Sequence, residues 1–251
     1  MKFLSQSRLI AVGVLFLSSL FFSYGKVDAI RNSGNEALKE WRAGETVSAK
    51  DIMAFGIDNC FLSEPIPDRI WNFMQGKTYK ENPHIKRSDL RHIRVLHWDY
   101  DKKIHIGEMV CNSKIADRLV MIFRTLYENQ YCIQRMVLPD VYNANDEKQM
   151  SENNTSCFCY RVVEGSNKLS KHARGLAVDL NPLYNPYIRK NAKGKVKVQP
   201  SNATEYCNRR NSFRYKIDEN DLAYRLFIQH GFRWGGSWKT MKDYQHFEWT
   251  E

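Results

Sequence analysis

The chain has 251 residues, of which 43% are hydrophobic and 26% charged. That balance suits one domain of ordinary size with a packed core and excludes a wholly disordered chain. The formal net charge of +10 draws a protein to anionic surfaces such as a cell wall or phospholipid headgroups. It does not point to nucleic acid, because no helix-turn-helix signature or zinc-finger spacing is present.

The amino terminus reads as an export signal. Lys2 and Arg8 precede an apolar run from Leu9 to Phe22, and Val27-Asp28-Ala29 resembles a cleavage site. A basic start, a short apolar stretch and small residues describe a signal peptide over residues 1–29. An uncleaved membrane anchor is the alternative, but the run is short for a full span. The leader accounts for about +2 of the +10, so the remainder stays basic. A periplasmic or wall-associated protein is expected. Six cysteines (Cys60, Cys111, Cys132, Cys157, Cys159, Cys207) then allow disulfides. Cys157 and Cys159 read as ordinary buried thiols.

Residues 30–90 read as a helical amino-terminal extension, amphipathic from Asn35 to Thr78 and broken near Gly56, Pro65 and Pro67. His92–Trp98 and Ile104–Cys111 form a hairpin around Tyr100–Lys103. A helix opens at Ser113 or Lys114, with Ile115, Leu119, Ile122, Phe123 and Leu126 on one face. A short strand follows at Ile133–Leu138, then a polar surface loop at Asn143–Thr155. Strands are expected at Cys157–Val163 and Leu176–Leu180, and an exposed Lys-rich turn at Asn191–Lys197. A helix runs from Glu219 or Asn220 to about His230, where Gly231 stops it. Trp234-Gly235-Gly236 is a turn and Tyr244–Trp249 a closing strand. Strands and helices without regular alternation indicate an α+β fold for residues 91–251, a small antiparallel sheet flanked by helices. Asn154 and Asn202 begin glycosylation sequons.

Two segments carry chemistry. In Ser170-Lys171-His172-Ala173-Arg174-Gly175-Leu176-Ala177-Val178-Asp179, a turn bearing His172 leads through Gly175 into a strand ending at Asp179. Ala177 shares a strand face with Asp179, and so small a neighbour leaves space for a metal and a substrate. In Asp243-Tyr244-Gln245-His246-Phe247-Glu248, an acid precedes a histidine by three residues. Two histidines and a carboxylate suit Zn²⁺, with a fourth position left for water. Such a metal acidifies the water and polarises the carbonyl under attack. Asp243 is placed to take the water's proton and return it to the leaving amine. Glu248 shares a strand face with His246, where it can orient that ligand or compete for the base role. His84, His92, His97, His105 and His230 fit no ligand spacing. Tyr184, Tyr187, Trp234, Trp238 and Tyr244 can wall a cleft or fill a core.

The pattern S-x-H-x-x-G-x-A-x-D followed by acid-x-x-His resembles the LAS group of zinc peptidases, within it the VanY-like D-alanyl-D-alanine carboxypeptidases and related L-alanyl-D-glutamate endopeptidases. Asn153–Ser156, Tyr160-Arg161, Asn181–Tyr187 and Trp234–Gly236 agree with that likeness. The resemblance implies the LAS/hedgehog-type fold and a single zinc held by His172, Asp179 and His246. It implies Asp243 as the general base, Arg161 as the residue that steadies the substrate carbonyl or oxyanion, and Ser170 as a substrate contact. The implied substrate is a peptidoglycan stem peptide cut at D-alanyl-D-alanine. Cleavage at L-alanyl-D-glutamate or a cross-bridge is the alternative within enzymes. A carboxypeptidase needs a cation for the terminal carboxylate, with Arg174 and Arg189 among the candidates. Hedgehog signalling domains share the metal-site architecture but bind partners, so a non-catalytic wall-binding module is the alternative from another class. Retention of Asp243 argues for the enzyme, since binding needs no base.

Overall fold

The computed structural model describes residues 34–163 and 168–250, so the expected leader lies outside the described residues. A helical stretch at 34–40 (α1) is followed by β1 (Thr46–Val47), α2 (Ala49–Phe55), β2 (Leu62–Glu64) and α3 (Asp68–Met74). Ser48 and Asp51 cap α2 reciprocally, each side chain meeting the other's backbone N–H. β3 (Leu90–Trp98) and β4 (Ile104–Asn112) then pair along their whole length, as the hairpin pattern predicts. β1 adds to β4 and β2 to β3, giving a four-stranded sheet in the order β1-β4-β3-β2. The segment expected to be helical thus also supplies both edge strands of this sheet. Strands of two and three residues carry no period of their own and are fixed by the neighbour they pair with.

Asn112 ends β4 and starts α4 (Ser113–Glu128), its Oδ1 accepting from the Lys114 N–H. The buried stripe Ile115, Leu119, Ile122, Phe123 and Leu126 is the one its spacing predicts.

Residues 133–138 are not a strand. Single bridges tie Trp98 to Cys132 and Arg135 to Asn154, and nothing longer forms. The Asn154 side chain takes the place of a neighbouring strand: Oδ1 accepts from Val137 N–H and Nδ2 donates to Val137 C=O, both at 3.0 Å. The polar stretch before it is likewise no surface loop. It contains α5 (Asp146–Ser151), and Asn153, Asn154 and Thr155 are buried. Asn154, 1% exposed, is therefore closed to glycosylation. The expected strand at Cys157–Val163 is also absent. Its N–H groups go to separate neighbours, Phe158 to Val110, Cys159 to His172 and Tyr160 to Thr78, so no continuous ladder exists.

Beyond residue 168 come β5 (Ala177–Asp179), β6 (Tyr187–Lys190), β7 (Val196–Gln199), α6 (Leu222–Gln229), β8 (Phe232–Trp234), β9 (Lys242–Asp243) and β10 (His246–Trp249). α6 starts one or two residues later than its pattern suggests, because Asp221 is the cap, accepting from Ala223 and Tyr224 N–H. The arrangement is α+β and among the described residues every strand pairing is antiparallel, but three sheets replace the single one expected: besides the first, β5-β10-β8 and β7-β6-β9. The division falls at Tyr244–Gln245, where the chain leaves β9 and enters β10. Phe247 points from β10 into the core and stacks on Phe227 of α6, with ring centroids 4.3 Å apart. All six cysteines are free, and burial raises the thiols of Cys60, Cys111, Cys157 and Cys159, which marks them as inert packing groups. No described helix is long and apolar enough to cross a membrane.

His97 stores a pH dependence in the first sheet. Its ring lies over Gly107, where an added Cβ would come within 2.9 Å of it. Nδ1 contacts the Ile133 carbonyl at 2.7 Å. Burial, reinforced by the parallel His105 ring, pushes its pKa down from 6.5 to about 4. A depressed folded value means that the neutral ring's contribution is full above the unfolded pKa and lost as pH falls toward the folded one. Between pH 6.5 and about 4 that loss is about 3 kcal/mol. The stability gap between wild type and His97→Gln, measured by urea unfolding, is expected to narrow by this amount over that window. A gap that does not change with pH would refute the assignment.

Candidate active site

Register brings two of the expected site residues face to face. His246 of β10 lies directly opposite Asp179 of β5. Leu180 N–H bonds to the Gln245 carbonyl, so the Asp179–His246 pair is of the type without mutual backbone bonds, where facing side chains approach most closely. Asp179 is held from its other side by two backbone bonds with Ser156. The carboxylate Oδ1 is 3.0 Å from His246 Nδ1, and Oδ2 is 3.3 Å from His172 Nε2.

His172 arrives on a short 3-10 turn, His172–Arg174, that ends at Gly175 with φ +66°. A Cβ at Gly175 would meet the Asn112 backbone nitrogen at 2.6 Å. Only glycine both adopts that conformation and lets the turn press against the end of β4. Asn112 completes the attachment, its N–H donating to the Gly175 carbonyl and its side chain to the Arg174 carbonyl. His172 Nδ1 contacts the Cys157 carbonyl at 2.7 Å. A carbonyl only accepts, so Nδ1 carries the proton and the Nε2 lone pair faces inward. Nε2 is 3.2 Å from His246 Nδ1.

These donors fit a metal. One atom each from His172, Asp179 and His246 lies within 4.8 Å of the others. Two ring nitrogens and a carboxylate, with each ring held from outside by the Cys157 carbonyl or Glu248, are a donor set suited to Zn²⁺. Burial resists charge on His246, but Asp179 and Glu248 outweigh it and raise the imidazole to about 10. Burial likewise resists charge on Asp179, yet both imidazoles hold it far below the usual carboxylate range.

Residues 164–249 match a family whose model is described as D-alanyl-D-alanine carboxypeptidase. No curated protein and no solved structure matches the chain. The matched stretch, about a third of the chain, contains Ser170, His172, Asp179, Asp243 and His246 and excludes Arg161. It supports a D-alanyl-D-alanine carboxypeptidase-like peptidase.

Asp243 ends β9, one sheet away from the histidines, and reaches them because Gly235 lets the Trp234–Ser237 turn close in. A Cβ at Gly235 would come 2.7 Å from the Asp243 carbonyl oxygen and 3.2 Å from His246 Cβ. The Asp243 residue is partly exposed, but its Oδ1 is shut off from solvent with no hydrogen-bond partner. That atom governs its ionisation. Burial pushes the carboxyl up to about 7, with the Asp179 charge adding to the rise and the histidines opposing it.

Glu248 shares the site face of β10, opposite Ala177, and its Oε2 stands 3.5 Å from His246 Nε2. It therefore orients the ring rather than facing the cleft's reacting end. Glu248→Gln is expected to lower metal affinity about tenfold to a hundredfold, read by competition with a chromogenic chelator. An unchanged affinity would remove this role.

A cleft of about 810 Å³ opens over these groups, lined among others by Arg161, Ser170, Tyr187, Trp238 and Met241. Arg161 stands at its lip with Nε 2.6 Å from Asp146 Oδ2. Nε nevertheless has no hydrogen-bond partner, so the contact is charge pairing with poor angular alignment. The Ser170 hydroxyl oxygen accepts from the His172 N–H at 3.2 Å, which caps the ligand turn. Of the aromatics, Tyr187 and Trp238 line the cleft. Trp234 is buried and Tyr184 joins a ring cluster with Tyr100, Tyr206 and Tyr215. Three of the other histidines have structural partners: His92 sits between Glu64 and Glu108, His97 contacts the Ile133 carbonyl and His105 contacts Asp99 and the Gly44 carbonyl.

Proposed function

We propose that this protein is a zinc metallopeptidase that hydrolyses peptidoglycan stem peptides as a D-alanyl-D-alanine carboxypeptidase. The observation that carries the reading is the convergence of His172, Asp179 and His246 within 4.8 Å beside a buried carboxyl at Asp243. When bound by those three residues, Zn²⁺ supplies an acidified water and a Lewis acid for the carbonyl. Asp243 takes the proton of the attacking water, and a carboxyl raised toward neutrality suits that work. It then gives the proton to the departing amine as the C–N bond breaks, leaving a new carboxylate on the other fragment. Arg161, at the lip, steadies the oxygen on which negative charge develops. Glu248 and the Cys157 carbonyl hold the two imidazoles in their tautomers. The basic charge and the leader pattern support action outside the cytoplasm, on the wall.

Digestion of purified peptidoglycan with and without chelator, followed by mass spectrometry, tests the reading, with Asp243→Ala as control. Chelator-sensitive release of D-alanine is expected. Release of L-alanyl-D-glutamate fragments would move the scissile bond to the endopeptidase alternative. No release by the zinc-loaded protein would leave a binding module.

A further inference from the structure

The family-matched stretch begins at residue 164, after the carbonyl of Cys157 that holds the His172 ring, so the support of this ligand comes from elsewhere in the chain. We propose that Thr78, pinned by Asp140, is a positioning residue for the metal site: it holds the segment 157–161 against the turn that bears His172. The inference rests on the proposed role of His172 as a ligand and deepens it. An extended backbone turns the polar groups of successive residues to opposite edges. On one edge of this segment the Cys157 carbonyl lies 2.7 Å from His172 Nδ1, Cys159 N–H donates to the His172 carbonyl, and the Arg161 carbonyl accepts from Ser170 N–H. On the other edge Phe158 N–H donates to the Val110 carbonyl, and Tyr160 N–H to the Thr78 carbonyl at 2.8 Å. The ligand turn therefore rests on the segment, and the segment on β4 and Thr78.

Thr78 is itself locked in place. It is fully buried, as is Asp140, which accepts the Thr78 N–H at 3.2 Å and lies 2.8 and 2.9 Å from its hydroxyl through the two carboxylate oxygens. Burial raises the Asp140 carboxyl, and the bonds from Thr78 oppose that rise. A buried acceptor is costly without its donors, so the pair commits Thr78 to one position. Apolar contacts act in the same place. Phe158 belongs to a second core with Ile70 and Met74 of α3, Leu90 and Val110. The Tyr79 ring lies between Trp71 and Phe158, with centroids 4.3 and 6.5 Å away. The amino-terminal extension thus braces the segment behind His172, although none of its residues is among the three candidate ligands.

The chemistry of the ligand explains why the brace matters. Imidazole binds a metal through the nitrogen without a proton, and the partner of its other nitrogen fixes both the tautomer and the direction of the ring. A side-chain partner follows a moving ring by rotating. The partner of His172 is a backbone carbonyl, which moves only with its whole segment. The placement of His172 Nε2 is therefore set by whatever fixes the segment 157–161, and Thr78 is the part of that support drawn from the extension.

The test reads metal affinity and the His172 ring separately, on the full chain. Thr78→Val keeps the shape of the side chain and removes the hydroxyl. It is expected to weaken Zn²⁺ binding about tenfold, the lower end of the effect of losing support behind a ligand, read by competition with a chromogenic chelator. Thr78→Ser should restore the affinity. Ser48→Ala removes the cap of α2 elsewhere in the extension and should leave affinity unchanged. An equal loss there would show general destabilisation and overturn the proposal. In metal-free protein the His172 Nδ1 proton, identified by its absence in His172→Gln, should give a slowly exchanging NMR signal in wild type and Thr78→Ser that broadens in Thr78→Val. Tyr79→Leu, at a half-buried position, should shift both readouts the same way by a smaller amount, and it decides the matter if Thr78→Val does not fold. Wild-type affinity together with a sharp His172 proton in the folded variant overturns the positioning role, even if wild type cleaves the wall. A wild type that binds zinc and loses it as expected in Thr78→Val, yet releases nothing from the wall, fails the peptidase reading alone.

Discussion

Asp179→Asn is expected to strip the protein of its metal and to lower hydrolysis by about a thousandfold or more, the several kcal/mol that a Lewis acid supplies to such a reaction. The substitution keeps the size of the side chain and its ability to accept from His246, so the fold is preserved. It removes the charge that faces both imidazoles at 3.0 and 3.3 Å. His172→Ala would be a poorer choice. It leaves the buried Cys157 carbonyl without the partner it has at 2.7 Å, a loss of about 1–3 kcal/mol in stability by itself. Metal content after dialysis, by elemental analysis, is the first readout. Thermal unfolding is the second. Zinc at a hundred times its Kd stabilises a folded protein by about 2.7 kcal/mol, which for a chain of this size raises Tm by roughly 5–10 °C. The rise should appear in wild type and vanish in Asp179→Asn. A variant that keeps stoichiometric zinc and the full rise would show that these three residues do not form the site.

The parts of the molecule legible in the sequence are those that carry their own period or cap. The β3–β4 hairpin shows as two β-rich runs around a turn and α4 as a buried stripe at helical spacing, whereas the cap of α6 is Asp221 and not the Glu219 or Asn220 expected. The illegible parts depend on partners distant in the chain. Residues 133–138 have the composition of a strand, yet their backbone bonds go to scattered partners: Ile133 N–H to the Trp98 carbonyl, Gln134 N–H to the Asn181 side chain, the Met136 carbonyl to Glu108 N–H and Val137 to the Asn154 side chain. Asn154 in turn looks like a surface residue because its polarity is visible and its burial is not. The expectation of one sheet failed because nothing in Tyr244-Gln245 signals that β9 and β10 join different neighbours. The site follows the same rule. The convergence of His172, Asp179 and His246 is legible because a turn glycine and a strand fix two of them locally and the third matches a known order. Glu248 could be placed on the face of His246 from its two-residue offset. Arg189 was visible as a cation but not as a cleft residue, since its position depends on the register of β6 against β7 and β9. The pairing of Arg161 with Asp146 leaves no sequence signal at all.

Asp243→Asn should lower kcat by about a hundredfold to ten-thousandfold, the range assigned to a general acid–base group, while leaving zinc content unchanged. That separation from Asp179→Asn distinguishes a proton carrier from a ligand. Two carboxylates compete for the role, and geometry divides them. Glu248 spends its Oε2 on His246 Nε2, whereas Asp243 Oδ1 is buried with no hydrogen-bond partner. A buried, unpartnered acceptor costs stability and is retained where it meets something the free protein lacks, here the proton of the attacking water. The pH profile follows from the same burial. In the metal-free site Asp243 titrates at about 7, and a divalent cation nearby draws a carboxylate's pKa down. The base must be ionised to act, so kcat/KM should rise with pH along an acid limb centred below that value. In Asp243→Asn the residual activity should lose this limb, while Glu248→Gln should keep it. If instead Glu248→Gln abolishes the limb and Asp243→Asn leaves both rate and profile intact, the base is Glu248 and the assignments of the two acids are reversed.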